Sequence, residues 1–229
     1  MRCALAVLAA GSATRAGVDK VLADLGGQPV LAWSIASAIA ARCFDDVVVV
    51  APQANIAQVT VVVRDRLSGS RVIAGGATRT ASSWAALDGL RDADVIAIHD
   101  AARPFVPPSL FSRCVELAAR DGSAVAGLPL MDTVRRADEA GAAVEELSRD
   151  GLWSAQTPQA FRRELLEKAR AAAGDRSFSD DAAALVAAGI QPKMVLGERR
   201  NLKITTFEDL AYARELVAKG LAGFPALAR

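Results

Sequence analysis

The stretch CALAVLAAGSATR, residues 3–15, runs from an unbroken apolar segment straight into a loop of small residues that carries a cation. A strand with one solvated face would alternate apolar and polar residues. A continuous run is instead the pattern of a strand buried on both faces, as in a parallel sheet. Further runs at 47–51, 72–74, 95–98 and 124–128 have the same texture, and helical segments at 30–41, 80–90 and 110–120 lie between them. This alternation predicts an α/β chain built on a mostly parallel, doubly wound sheet. Residues 56–63, IAQVTVVV, are β-branched, but the charged continuation Arg64, Asp65, Arg66 and the need for a crossover favour a helix there.

After Pro129 the texture changes. Residues 132–137 and 144–147 flank a turn at 138–141, and a second turn follows at 150–151. These are hairpin signals, and a hairpin inserted late into a parallel sheet is expected to project as an arm, about 132–155, able to pair with a second subunit. Helices are expected again at 163–173, 179–188 and 207–219, with a strand at 193–196.

The chain has 229 residues, which fits one domain, 1–229, with the arm as its projection. Its 27 Lys and Arg nearly balance 26 Asp and Glu, so no general attraction to nucleic acid or to an acidic membrane follows. Cys3, Cys43 and Cys114 form no CxxC pair and are odd in number, which indicates neither a disulfide framework nor a zinc site. No run approaches the roughly 18 apolar residues of a membrane span, and the first ten residues lack a cleavable-leader pattern. A cytoplasmic location is the expectation.

The first loop matches neither the Walker pattern nor the dinucleotide fingerprint. What remains is a strand end at Ala9 and Ala10, a turn through Gly11, Ser12 and Ala13, and the cations Arg15 and Lys20. Small residues let backbone N–H groups approach an anion closely, and the cations neutralise more than one phosphate, which suits a triphosphate. A surface loop with incidental charges is the other reading of this stretch alone. GGATRTASS, residues 75–83, also follows a strand and opens a helix, offering Gly75, Arg79, Ser82 and Ser83. HDAARP, residues 99–104, places Asp100 and Arg103 at the end of another strand. Asp100 reads as a helix cap, a hydroxyl acceptor or a magnesium ligand, and His99 as a buried structural histidine. One histidine and no metal-ligand cluster speak against common hydrolytic chemistry. Phosphoryl and nucleotidyl transfer need positioning and cations more than bases.

With these residues in view, the chain resembles the 2-C-methyl-D-erythritol 4-phosphate cytidylyltransferase family. The likeness rests on LAAGSATR with Lys20, GGATR, HDAARPF, DTV at 132–134, GLWSAQTPQAF at 151–161, SDDAAAL at 179–185 and NLKITTFEDL at 201–210. The resemblance implies a Rossmann-like fold of the nucleotidyltransferase type with an inserted β-hairpin arm. It also implies transfer from CTP, with magnesium, to the sugar-alcohol phosphate, releasing pyrophosphate. Arg15, Lys20 and Lys203 would be the catalytic cations. Ala9, Ala10, Gly11, Ser12, Gly75, Arg79, Ser82 and Asp100 would hold the nucleotide, and Arg103, Thr133, Arg149 and Ser179 the acceptor. A homodimer that exchanges arms is similar to what the family does.

Ala13 stands where the family usually has glycine, and Asp19 where it usually has proline. Two other readings stay open on the sequence: a cytidylyltransferase for ribitol 5-phosphate or another polyol phosphate, and an inactive nucleotide-binding subunit.

Overall fold

In the computed structural model, which describes residues 1–10, 20–64, 70–223 and 225, the first apolar run forms β1 (Cys3–Leu8). Its side chains alternate between two cores: Leu5 and Val7 face one cluster, and Ala4, Ala6 and Leu8 the other. The missing polar alternation thus reflects burial on both faces. The chain continues through a two-residue hairpin, β2 (Asp24–Leu25) and β3 (Gln28–Pro29), turning at Gly26 and Gly27. Both glycines have positive φ, 63° and 80°, the conformation that so tight a hairpin requires at its central positions. Strands this short have no periodicity to detect, and the sequence reading contains none here.

The expected alternation then follows as α1 (Val30–Ala41), β4 (Asp46–Ala51), α2 (Ile56–Arg64), β5 (Arg71–Ala74), α3 (Arg79–Gly89), β6 (Val95–Asp100), α4 (Pro108–Asp121) and β7 (Ser123–Pro129). The segment at 56–63 is helical, as expected, because Val59 and Val63 fall on one face and are buried there. Next comes the predicted hairpin, β8 (Val134–Ala137) and β9 (Ala143–Leu147), which forms its own two-stranded sheet. It leads into β10 (Trp153–Arg162), followed by α5 (Arg163–Ala173), α6 (Asp181–Ala187), β11 (Met194–Leu196) and α7 (Phe207–Ala218).

The main sheet has seven strands in the order β11-β7-β10-β6-β1-β4-β5. All its pairings are parallel except those of β10, which runs antiparallel to both β6 and β7. β10 is a strand that the sequence reading did not assign. Pro158 within it argues against a central strand, since proline cannot donate to a ladder. The structure accommodates it where the pairing with β7 shifts register between Ala155 and Gln159.

A third cluster lies beside the main sheet. Leu25, Val30, Trp33, Ile204 and Leu210 pack together, joining the small hairpin to α1, to α7 and to the irregular segment before α7. Ile204 is fully buried, and such burial contributes about 1.5–3 kcal/mol. Thr206 accepts from Asp209 N–H while the Asp209 carboxylate accepts from Thr206 N–H, a capping box that fixes where α7 begins. No described helix is long and apolar enough to cross a membrane.

Candidate active site

From β1 the chain moves outward through β4 and β5, then returns to β6 on the other side of β1. The strand order reverses between β1 and β6, and open α/β sheets bind ligands beyond the carboxyl ends of strands at such a point. Leu8 and Asp100 are paired across it, and Ala101 N–H donates to Leu8 O at 3.0 Å.

Four of the expected nucleotide residues, Ala9, Ala10, Gly75 and Ser82, meet at this edge. A Cβ on Gly75 would lie 2.7 Å from Ser82 Oγ and 2.8 Å from Ala10 Cβ, so only glycine allows the ends of β1 and β5 and the start of α3 to approach this closely. Ser82 Oγ donates to Thr78 O at 3.0 Å, and Ser82 is buried. Ala9 is buried, with its N–H on Val50 O at 2.7 Å.

Beside them stands a row of alternating charges. Asp181 Oδ2 lies 2.8 Å from Arg79 Nη2, Arg79 Nε 3.4 Å from Asp100 Oδ1, and Asp100 Oδ2 2.7 Å from Lys203 Nζ. Arg79 is placed by the first turn of α3, where Thr78 caps the helix by accepting from Ala81 N–H. Burial alone would raise the Asp100 carboxyl, but Arg79 and Lys203 outweigh it and hold it well below the usual carboxylate range. Burial likewise works against the charge on Arg79, and Asp181 followed by Asp100 more than restores it. The Lys203 side chain is 39% exposed, so the row runs from a buried end at Asp181 to a cation open to solvent. The cap reading of Asp100 is corrected by this arrangement: its carboxylate serves two cations rather than a helix terminus.

His99 is fully buried and meets the expectation of a structural histidine. Its Nε2 faces Arg103 O at 3.3 Å and must donate, since a carbonyl only accepts. Nδ1 is then the acceptor for the Thr157 hydroxyl at 3.0 Å, while Thr157 Oγ1 accepts from Asp100 N–H at 3.0 Å. Burial pushes the imidazole pKa down to about 4. Arg103 is 9% exposed; Nη1 donates to Asn201 O at 2.7 Å and Nη2 reaches Ala155 O at 3.5 Å, while its buried Nε has no hydrogen-bond partner.

The other expected residues are spread around this centre. Lys20 is half-buried in the turn before β2. Ser179 is exposed two residues before Asp181, next to Asp180, the N-cap of α6. Thr133 and Arg149 are exposed at the root of the arm, where Arg149 Nη1 donates to Met131 O. Gly11, Ser12, Ala13, Arg15 and Asp19 lie outside the described residues. The sequence reading missed Asp181 and Asn201. Asp181 reads as an ordinary acid in a helix's first turn, and Asn201 as a loop residue, so neither carried a signal of its burial.

The family of 2-C-methyl-D-erythritol 4-phosphate cytidylyltransferases matches residues 3–219. A bifunctional enzyme IspD/IspF of Anaeromyxobacter sp. (strain Fw109-5) is 41% identical over 226 residues, 96% of this chain and 58% of that protein. The chain spans 55–58% of the length of the four bifunctional relatives compared. The 2-C-methyl-D-erythritol 4-phosphate cytidylyltransferase of Deinococcus radiodurans is 41% identical over 220 residues, 94% of this chain and 89% of the relative. Among solved structures, the same-named enzyme of Thermus thermophilus superposes with a TM-score of 0.78 at 32% identity, covering 95% of this chain and all of that one. By its sequence along nearly its whole length and by its fold, the chain belongs to the 2-C-methyl-D-erythritol 4-phosphate cytidylyltransferase family.

Proposed function

We propose that this chain transfers the cytidylyl group of CTP to 2-C-methyl-D-erythritol 4-phosphate. An oxygen of the acceptor phosphate attacks the α-phosphorus of CTP, the bond to the β-phosphate breaks, and pyrophosphate leaves. The acceptor phosphate is already ionised, so the step needs charge stabilisation and alignment rather than a base. The observation that carries the reading is the Lys203–Asp100–Arg79 cluster at the strand-order reversal, in a chain whose single histidine is sealed in the core.

In this reading Arg15, Lys20 and Lys203 stabilise charge on the triphosphate as the leaving group departs. Ala9, Ala10, Gly11, Ser12, Gly75, Arg79, Ser82 and Asp100 form the nucleotide side. Arg103, Thr133, Arg149 and Ser179 form the acceptor side.

Magnesium fits as a companion of the triphosphate. Among the described residues no three His, Cys, Asp or Glu side chains gather to hold a metal. Magnesium on a nucleotide needs only one or two protein carboxylates besides phosphate oxygens and water. Asp100 would be that carboxylate, and the ion would neutralise phosphate charge.

The chain acts as one domain, 1–229, in a homodimer through the arm at about 132–155. Support comes from the arm itself: β8 and β9 pair only with each other in the described sheets, and an isolated hairpin is marginally stable. At its root, Met131, Trp153 and Leu196 are exposed near a groove of about 530 Å³ lined by Leu128, Pro129 and Arg199 among others. A cytoplasmic location accords with the free cysteines Cys3, Cys43 and Cys114.

The test is magnesium-dependent pyrophosphate release from CTP, with 2-C-methyl-D-erythritol 4-phosphate and ribitol 5-phosphate offered in parallel. Release with the first alone supports the assignment. Release with the second alone overturns the acceptor, and CTP binding without release overturns the activity.

A further inference from the structure

Lys203 sits in the segment 197–206 between β11 and α7, which has no ladder of its own. Its backbone must therefore be fixed by individual contacts. Two anchors flank the lysine. On the far side, Ile204 is fully buried and its N–H donates to Ala102 O at 2.8 Å. On the near side stands Asn201, also fully buried, whose bonds reach two other segments. Its carbonyl accepts from Arg103 Nη1 at 2.7 Å, in the turn after β6. Its Nδ2 donates to Gln156 Oε1 at 3.1 Å and to Thr157 O at 2.8 Å, both in β10.

The partners close the arrangement on themselves. Gln156 Nε2 donates to Glu198 O at 2.9 Å, and Gln156 Oε1 accepts from Glu198 N–H at 3.3 Å, so β10 grips the same segment a second time. Thr157, whose carbonyl Asn201 holds, accepts the Asp100 N–H through its hydroxyl. Arg103, which holds the Asn201 carbonyl, also reaches Ala155 O at the base of the arm. The carboxamide of Asn201 therefore joins the segment of Lys203 to the strand end of Asp100 and to the strand that returns from the arm.

We propose that Asn201 is a positioning residue for the transfer reaction: its carboxamide fixes Lys203 relative to Asp100 and to the base of the arm. Being fully buried, it acts through Lys203 rather than on substrate. The inference rests on Lys203 being a catalytic cation, as proposed above. Loss of the carboxamide removes two of the bonds on one side of the lysine and leaves the Ile204 anchor in place, so the lysine shifts while the core persists. A misplacement of about 1 Å in a catalytic group costs on the order of 10²-fold in rate.

The experiment is a double-variant cycle read by pyrophosphate release from CTP with the acceptor phosphate. Asn201→Ala, Lys203→Ala and the pair are compared, each under conditions where circular dichroism shows the native fold. Asn201→Ala is expected to lower kcat by about 10²-fold and to leave KM for CTP within about threefold. In the Lys203→Ala background the same change should alter kcat by less than about threefold, since the group it positions is gone. If Asn201→Ala does not fold, Gln156→Leu removes one of the two carboxamide acceptors and takes its place, with a smaller kcat loss that again disappears beside Lys203→Ala. Losses that multiply in the paired variant mark a general structural role and overturn the inference alone, as does an unchanged kcat in Asn201→Ala. Normal turnover in Lys203→Ala overturns the catalytic reading of the lysine, and this inference with it.

Discussion

Lys203 Nζ and Asp100 Oδ2 are 103 residues apart in sequence and 2.7 Å apart in space, so the lysine proposed above as a catalytic cation is paired with a carboxylate in this structure. The pair is half open: the lysine side chain is 39% exposed and the aspartate side chain 11%. In the proposed reaction an incoming triphosphate would compete with Asp100 for the lysine, and Arg79, 3.4 Å from the same carboxylate, would continue to neutralise it. Replacing Lys203 or Lys20 by alanine is expected to lower kcat by at least about 10²-fold, the usual consequence of losing a charge that stabilises a transition state. Steady-state pyrophosphate release measures it, and near-normal turnover in both variants would remove this site from consideration.

The close approach at Gly75 gives a second expectation. In Gly75→Ala the new Cβ meets Ser82 Oγ at 2.7 Å and Ala10 Cβ at 2.8 Å, and neither belongs to the far end of a flexible side chain. Overpacking of this kind costs about 1–3 kcal/mol, which corresponds to a Tm lower by roughly 2–12 °C. Removing one of the two obstacles should return part of the loss. Thermal unfolding of Gly75→Ala in the Ser82→Ala background checks this, and an equal loss in both backgrounds contradicts the packing argument.

Two buried groups make stability fall with pH, in different windows. His99 titrates near 6.5 when unfolded and at about 4 in the fold, so between those values the unfolded chain holds more protons and stability declines as pH falls. The loss across that window is of order 3 kcal/mol. Asp100 has its carboxyl lowered in the fold, so its contribution is present above the unfolded value of about 4 and is lost only below it. His99→Gln should therefore flatten Tm between pH 6.5 and 4 and leave the drop at lower pH. Persistence of the upper slope in that variant would place its origin elsewhere.

What could be read from the sequence follows from what each residue must do alone. Continuous apolar runs at 3–9 and 95–98 mark strands sealed on both faces, because no polar residue is tolerated on either side. Arg79 and Asp100 were readable as charged residues at a helix start and a strand end, Lys203 only through the family resemblance, and the structure brings the three together. β10 was not readable, since Pro158 contradicts a central strand until the register shift beside it is seen. Asp181 and Asn201 were unreadable for another reason. Their importance lies in burial and in partners from distant segments, Arg79 for one and Gln156 with Thr157 for the other. A local pattern of residues holds no trace of such contacts.

Arm exchange makes the most demanding expectation. Arg149 and Thr133 lie at the root of the arm, whereas Lys203 and Asp100 lie at the strand ends. If each arm completes the site of the other subunit, an active site draws Lys203 from one chain and Arg149 from its partner. Lys203→Ala and Arg149→Ala homodimers would each be poorly active. Mixed and allowed to exchange, they form heterodimers in which one site pairs an intact Lys203 with an intact Arg149. Random exchange makes half the dimers mixed, with one good site of two, so recovery should approach about a quarter of wild-type activity in a closed two-fold assembly. If mixing restores nothing while exchange is verified by native mass spectrometry, each chain completes its own site, and the arm serves association alone.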